Sequence, residues 1–212
     1  MRITRSIHHA FRALPSRRAK KYRRDILLAF SAALEPLGGR PSKKVSTLLV
    51  DEHDNILNWD VNHLCYGIEK DVKLFVKGVA GGRGHHTWCA ERNNIASHLG
   101  VAAVTPESND VAAIHAAIDR FTPSLIGAAL YHPTLAKATL VSSHYPCVIC
   151  AEVLAPQVGG AKKSRARIVR EVITTWNEQT EGNLTNPNRK TADARKILES
   201  GGIRVTLTVL RR

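Results

Sequence analysis

Two short cysteine motifs constrain this chain more than any other feature: Trp88-Cys89-Ala90-Glu91 and Tyr145-Pro146-Cys147-Val148-Ile149-Cys150. Together they offer three thiol ligands and one carboxylate. Each motif alone is weak, since C-x-E arises by chance and C-x-x-C also serves redox pairs and structural zinc sites. The joint pattern is far more specific. A metal held by three protein groups keeps a fourth position for water, and a nearby carboxylate can move that water's proton. The local sequence also sets the expected backbone. One helix is predicted to start at Cys89 and another at Cys147, where Pro146 suits a helix start because its missing N–H would lack an intrahelical partner anyway. Cys147 and Cys150 are three apart and share a helix face. Both ligand sets then lie at helix N-termini, where the dipole favours the thiolate form that binds metal.

A zinc on His/Cys/Cys or three cysteines, with a glutamate that is not a ligand, is the signature of the zinc-dependent nucleobase deaminases. The two motifs resemble two branches of the cytidine and deoxycytidylate deaminase superfamily. Cys89-Ala90-Glu91-Arg92-Asn93 resembles the C-A-E-R of three-cysteine cytidine deaminases. Pro146-Cys147-Val148-Ile149-Cys150-Ala151 resembles the P-C-x-x-C-A of deoxycytidylate and tRNA adenosine deaminases.

The resemblance implies a Zn2+ cofactor on Cys89, Cys147 and Cys150, and Glu91 as the catalytic proton shuttle. It further implies that the Ala90 backbone N–H holds the pyrimidine carbonyl and that Asn62 binds the sugar or base edge. His86 and Tyr145, beside the two motifs, complete the expected substrate-binding set. Arg92 is implied as a donor to the ligand sulfurs, moderating the net negative charge of three thiolates on one zinc. The alternative for Arg92 is an ordinary surface arginine on the helix. Glu91 would take a proton from the attacking water, deliver it to ring N3 and then help protonate the departing amino group.

The expected reaction is deamination of a free cytosine nucleotide, first of all deoxycytidylate (dCMP, base-modified or not) to deoxyuridylate (dUMP) and ammonia. The second motif and the basic charge favour a monophosphate, whereas C-A-E-R favours a nucleoside. One alternative is an editing deaminase acting on RNA, tRNA or single-stranded DNA, although 5% aromatic residues provide few stacking platforms for unpaired bases. Another is a non-catalytic zinc module that stabilises a nucleic-acid-binding domain. Glu91 speaks against the last, because a structural site needs a fourth ligand and not a base.

A chain of 212 residues, 43% hydrophobic, suits one domain with one good core. No apolar stretch approaches the roughly 18 residues of a membrane span, so no membrane partner is expected. Four cysteines in a chain of this length do not form a disulfide framework, which fits a reducing, cytoplasmic location. Cys65, outside the motifs, is read as a small buried residue. The formal net charge of +13 points to phosphate-bearing partners without choosing among them. Arginine and lysine recur through the first 24 residues with no acid among them. That segment reads as a nucleic-acid-binding arm, an Arg-rich transit peptide or a solvated helix face. The expected assembly is a homo-oligomer.

Along the chain, residues 1–16 form the basic arm and 17–212 a single domain. Ile26, Leu27, Phe30, Ala33 and Leu34 recur at helical spacing between Ala19 and Leu37, ahead of Gly38-Gly39. Strands are predicted at Val45–Val50 and Ile56–Val61, joined by a polar turn. Further strands are predicted at 72–79, 138–143, 166–174 and 203–210, and a helix at 191–200. The segment Gly81-Gly82-Arg83-Gly84-His85-His86 reads either as a phosphate cradle or as a plain connector, and lacks a Walker pattern. Residues 100–133 exceed the usual spacing of the superfamily and read as an insertion at the domain's edge, with a helix over 111–121 and a polar loop further on at 177–190. The order implies the three-layer α/β/α sandwich of the cytidine deaminase-like fold, built on a mixed five-stranded sheet.

Overall fold

The computed structural model of the chain describes residues 16–37, 44–64, 87–102, 111–159 and 164–210. The basic arm up to residue 15, Cys65, the predicted strand over 72–79 and the glycine-rich loop with His86 lie outside these residues.

Helix α1 (Ser16–Leu34) runs into a short 3-10 turn (Glu35–Leu37) and is followed by strands β1 (Ser46–Val50) and β2 (Ile56–Val61). Helix α2 (Ala90–Leu99) carries the first cysteine motif. Helices α3 (Val111–Ala129) and α4 (Pro133–Lys137) lead to β3 (Thr139–Ser142) and then α5 (Val148–Leu154), which carries the second motif. Strand β4 (Glu171–Asn177), the short helix α6 (Glu178–Glu181), helix α7 (Arg189–Ser200) and strand β5 (Arg204–Leu210) complete the order.

These five strands form one mixed sheet in the order β2-β1-β3-β4-β5, while the two-residue strands His63–Leu64 with Thr87–Trp88, and Gln157–Val158 with Ser164–Arg165, pair apart from it. Strand β1 is antiparallel to both β2 and β3, whereas β3, β4 and β5 run parallel. Parallel neighbours need a crossover, and helices are the usual means. Here α5 connects β3 to β4, and α7 connects β4 to β5.

Period-two alternation sorts the side chains onto two faces. Leu48, Val50, Val141 and Ile173 face α1, where they bury Leu27 and Leu28. Leu49, Leu140, Val172 and Trp176 face the other way, onto Ile95 of α2, Phe121 and Leu125 of α3, Leu154 of α5 and Leu198 of α7. Helices therefore cover both faces, and the fold is a mixed α/β arrangement of three layers. Each fully buried aliphatic side chain contributes about 1.5–3 kcal/mol to this packing.

Several elements depart from the sequence expectation for identifiable reasons. In α1 the buried face is Leu27, Leu28 and Ser31, while Phe30 is 37% exposed. Ser31 donates to the Ser46 carbonyl at 3.1 Å, which turns that face of the helix toward β1. Helix α3 continues past Pro123 to Ala129. A proline inside a helix removes one hydrogen bond, yet Phe121, Leu125 and Ala129 are buried in the main core and hold the helix together. The segment expected as an edge insertion thus supplies a core helix. Strand β4 starts at Glu171 because Ile168 and Val169, which read as strand, are buried in the bend before it. The polar stretch after β4 holds α6, whose Glu181 accepts from the Asn177 backbone N–H at 2.7 Å. Helix α7 starts at Arg189, since Asn188 caps it by accepting from the Thr191 backbone N–H at 3.0 Å.

Candidate metal centre

Both motif helices begin one residue after a cysteine. Cys89 is the N-cap of α2 and Cys147 that of α5, each in extended backbone and neither using its side chain as a cap. Both thiols can therefore turn toward one another. The sulfurs of Cys89, Cys147 and Cys150 all lie within 4.8 Å of one another, the one such three-residue group among the described residues. Cys89 Sγ and Cys147 Sγ are 3.9 Å apart. Sulfurs at about 2.3 Å from a tetrahedral zinc would be about 3.8 Å apart, so the spacing suits a metal ion. Cys150 is buried, Cys89 half-buried and Cys147 exposed.

The electrostatics among the three cysteines favour one thiolate. Hydrogen bonds from Cys147 and Cys150, helped by the charge of Arg92, hold Cys89 well below the usual thiol range against the cost of burial. For Cys147, the bond with Cys150 favours ionisation, but the Cys89 sulfur, burial of the thiol and, least, the nearby Glu91 outweigh it and push the thiol up. Cys150 is pushed well up by Cys147 and then Cys89. Burial opposes the charge on Arg92, and the sulfurs of Cys89, Cys150 and Cys147 more than offset this, so the guanidinium titrates above its ordinary value. Arg92 is fully buried and its Nη2 donates to Cys89 Sγ at 3.8 Å. It is not a surface arginine.

Glu91, one residue into α2, is buried with its carboxyl among the same groups. Its Oε2 accepts from Cys150 Sγ at 3.4 Å, and its Oε1 accepts from Ser142 Oγ at 3.5 Å. Helix α2 lacks an apolar stripe and is fastened to the sheet by polar hooks instead. Thr47 Oγ1 donates to the Ala90 carbonyl at 3.1 Å and accepts from Asn94 Nδ2 at 3.0 Å. Asn93 Nδ2 donates to the Val61 carbonyl, and Asn58 Nδ2 to the Asn94 carbonyl, both at 3.0 Å. These groups fix the first half of α2 against β1 and β2. Sequence reading missed Thr47, Ser142, Asn58, Asn93 and Asn94. The available signal was the buried polar position at each motif's neighbouring strand, Thr47 in S-T-L-L-V and Ser142 in T-L-V-S.

The remaining expected site residues divide. Ala90 is fully buried at the first position of α2, where a backbone N–H has no intrahelical acceptor. Asn62 is buried at the end of β2, and its Oδ1 accepts from the Val45 backbone N–H at 2.9 Å, clasping the hairpin. Tyr145 is buried in the main core, edge-on to Trp176 at 5.2 Å. Burial pushes its hydroxyl up to about 12, and its charged neighbours are Arg195 and Glu199 of α7. His86 lies outside the described residues.

No helix among the described residues is long and apolar enough to cross a membrane. No protein-family model matches the chain, and no curated protein matches it significantly.

Proposed function

We propose that this chain is a zinc-dependent deaminase of a cytosine nucleotide, with deoxycytidylate as the first substrate to test and the cytidine deaminase-like class as its fold. The observation that carries the reading is a buried carboxylate, Glu91, whose Oε2 is 3.4 Å from a ligand sulfur in a cluster of three converging thiols. A three-thiol set suits zinc, which such soft donors favour. Once bound, zinc supplies a nucleophile near neutral pH by lowering the pKa of a water from 15.7 toward about 7.

The chain's own residues do the rest. Cys89, Cys147 and Cys150 hold the metal, and Arg92 spreads positive charge over the sulfurs. Glu91 takes a proton from the attacking water and passes it to ring N3 as the oxygen bonds to C4. It then takes the second proton of that oxygen and gives it to the amino group, so that ammonia leaves and the C4 carbonyl forms. The Ala90 N–H holds the base carbonyl. The helices on both faces of a mixed five-stranded sheet support the fold assignment, and the free thiols suit the reducing cytoplasm.

The test is ammonia release from cytosine and adenine nucleosides, nucleotides and oligonucleotides, with zinc measured on the same preparation. Turnover of deoxycytidylate with zinc that is lost in a Cys89/Cys147/Cys150→Ser triple variant is expected. Undiminished zinc in that variant sinks the ligand set. Turnover confined to RNA or single-stranded DNA, with steeply salt-dependent binding, sinks the free-nucleotide substrate and promotes the editing reading.

A further inference from the structure

We infer that Ser142 is a positioning residue for Glu91, a role that rests on the deaminase reading above. Ser142 ends β3, and its side chain lies on the sheet face that carries α2 and α5. Register places it directly beside Thr47 of β1 and Thr174 of β4, and all three are fully buried. The next row on the same face is Leu49, Leu140, Val172 and Val205, all apolar. A hydroxyl buried in such a setting costs free energy unless it is hydrogen-bonded.

Each hydroxyl of the row has a distinct use. Thr174 Oγ1 bonds locally to the Thr175 carbonyl at 3.3 Å. Thr47 Oγ1 secures the Ala90 carbonyl, and so the backbone of the first turn of α2. Ser142 Oγ is directed at Glu91 Oε1 at 3.5 Å, while Cys150 Sγ approaches the other carboxyl oxygen. One row of the sheet thus sets both the helix turn and the side chain that projects from it. Glu91 is long and rotatable, and the Ser142 hydroxyl holds one carboxyl oxygen in place beside the sulfurs. Without it the carboxyl loses a contact that positions it, and a displacement of about 1 Å can cost about 100-fold in rate.

The experiment compares kcat, KM, zinc content and thermal melting for the parent, Ser142→Ala, Ser142→Thr and Thr174→Val. Ser142→Ala is expected to lower kcat about 10- to 100-fold with KM and zinc as in the parent. Ser142→Thr should restore most of the loss, and Thr174→Val should behave as the parent does. If Ser142→Ala does not fold, Ser142→Cys takes its place, being close in volume and a weaker donor, with the same fall in kcat expected. Parent-like kcat in the folded variant overturns the inference and leaves the deaminase reading standing. A loss of equal size in Thr174→Val, or one that tracks lost zinc, makes Ser142 merely structural and also overturns it. A parent with no turnover fails the deaminase reading itself, and the role of Ser142 falls with it.

Discussion

Glu91 and Glu171 are both 4% exposed, yet their surroundings differ in kind. Glu171 starts β4 and faces α1. Arg204 Nη2 donates to its Oε2 at 2.7 Å, Thr206 Oγ1 donates to its Oε1 at 2.8 Å, and Arg23 Nη1 stands 4.0 Å from Oε2. Burial alone would raise its pKa, but the bonds from Arg204 and Thr206 and the charges of Arg204 and Arg23 bring it below the ordinary value. On the opposite face, a hydroxyl and a thiol reach Glu91 at 3.5 and 3.4 Å. The neighbouring Arg92 Nη2 donates to sulfur. Short charge-assisted bonds commit a carboxylate to its ionised form. The contacts that Ser142 and Cys150 make with Glu91 are longer than those that Arg204 and Thr206 make with Glu171. Glu171 is tied into the sheet by ion pairs, whereas Glu91 lies beside the three-cysteine cluster.

The sharpest way to break this contrast is to remove each charge in turn. Glu91→Gln should retain zinc and fold while losing about 10²- to 10⁴-fold in rate, the usual weight of a general acid–base group. Metal content and turnover on one preparation decide it. A variant that deaminates near the parent rate removes Glu91 from the mechanism.

The arginines divide in the same way. Arg204 and Arg23 serve a carboxylate, whereas Arg92 serves the sulfur of Cys89. Arg92→Ala should weaken zinc affinity or activity about 10- to 100-fold, the typical cost of losing a partner that supports metal ligands. Competition against a chromophoric chelator measures this, and unchanged affinity would return Arg92 to a packing role.

Glu171→Gln should act on stability and leave turnover alone. Losing its charged hydrogen bonds is expected to cost about 1–3 kcal/mol in urea unfolding at neutral pH. The sign with pH follows from the depressed folded value. The contribution is complete above the ordinary carboxylate pKa of about 4.3 and is lost as pH falls through the lower folded value. The variant should therefore show a flatter acid limb than the parent. An unchanged acid limb would show that Glu171 is not held as described.

The three-cysteine cluster and both motif helices were legible because their signals are local: C-x-E, C-x-x-C, and Pro146 just ahead of α5. The sheet was legible from β-branched and apolar runs. What escaped depended on distant partners. Ser142 gains its place beside Thr47 only through the register of β1 with β3. The buried face of α1 turns on Ser31 meeting Ser46, which helical spacing of apolar residues cannot show. The helix expected over 111–121 runs on through Pro123 to Ala129, because Phe121 and Leu125 pack on the core. Tyr145 stands two residues from a ligand cysteine, but its ring belongs to the core beside Trp176.

Tyr145 offers the smallest and most discriminating test, because it is a third kind of buried polar group beside the two glutamates. Its hydroxyl is buried with no hydrogen-bond partner among the described residues. An unsatisfied buried hydroxyl costs free energy, so its removal with the ring left in place should be neutral or favourable. Tyr145→Phe is accordingly expected to keep zinc, kcat and KM and to change stability by no more than about 1 kcal/mol, on the stabilising side. Urea unfolding and steady-state kinetics on deoxycytidylate read both quantities. If KM instead rises about tenfold while stability holds, the lost hydroxyl was bonding substrate at a cost of about 1.4 kcal/mol. Tyr145 would then stand with the binding residues, and the boundary between core and site would lie one layer deeper than the packing against Trp176 suggests.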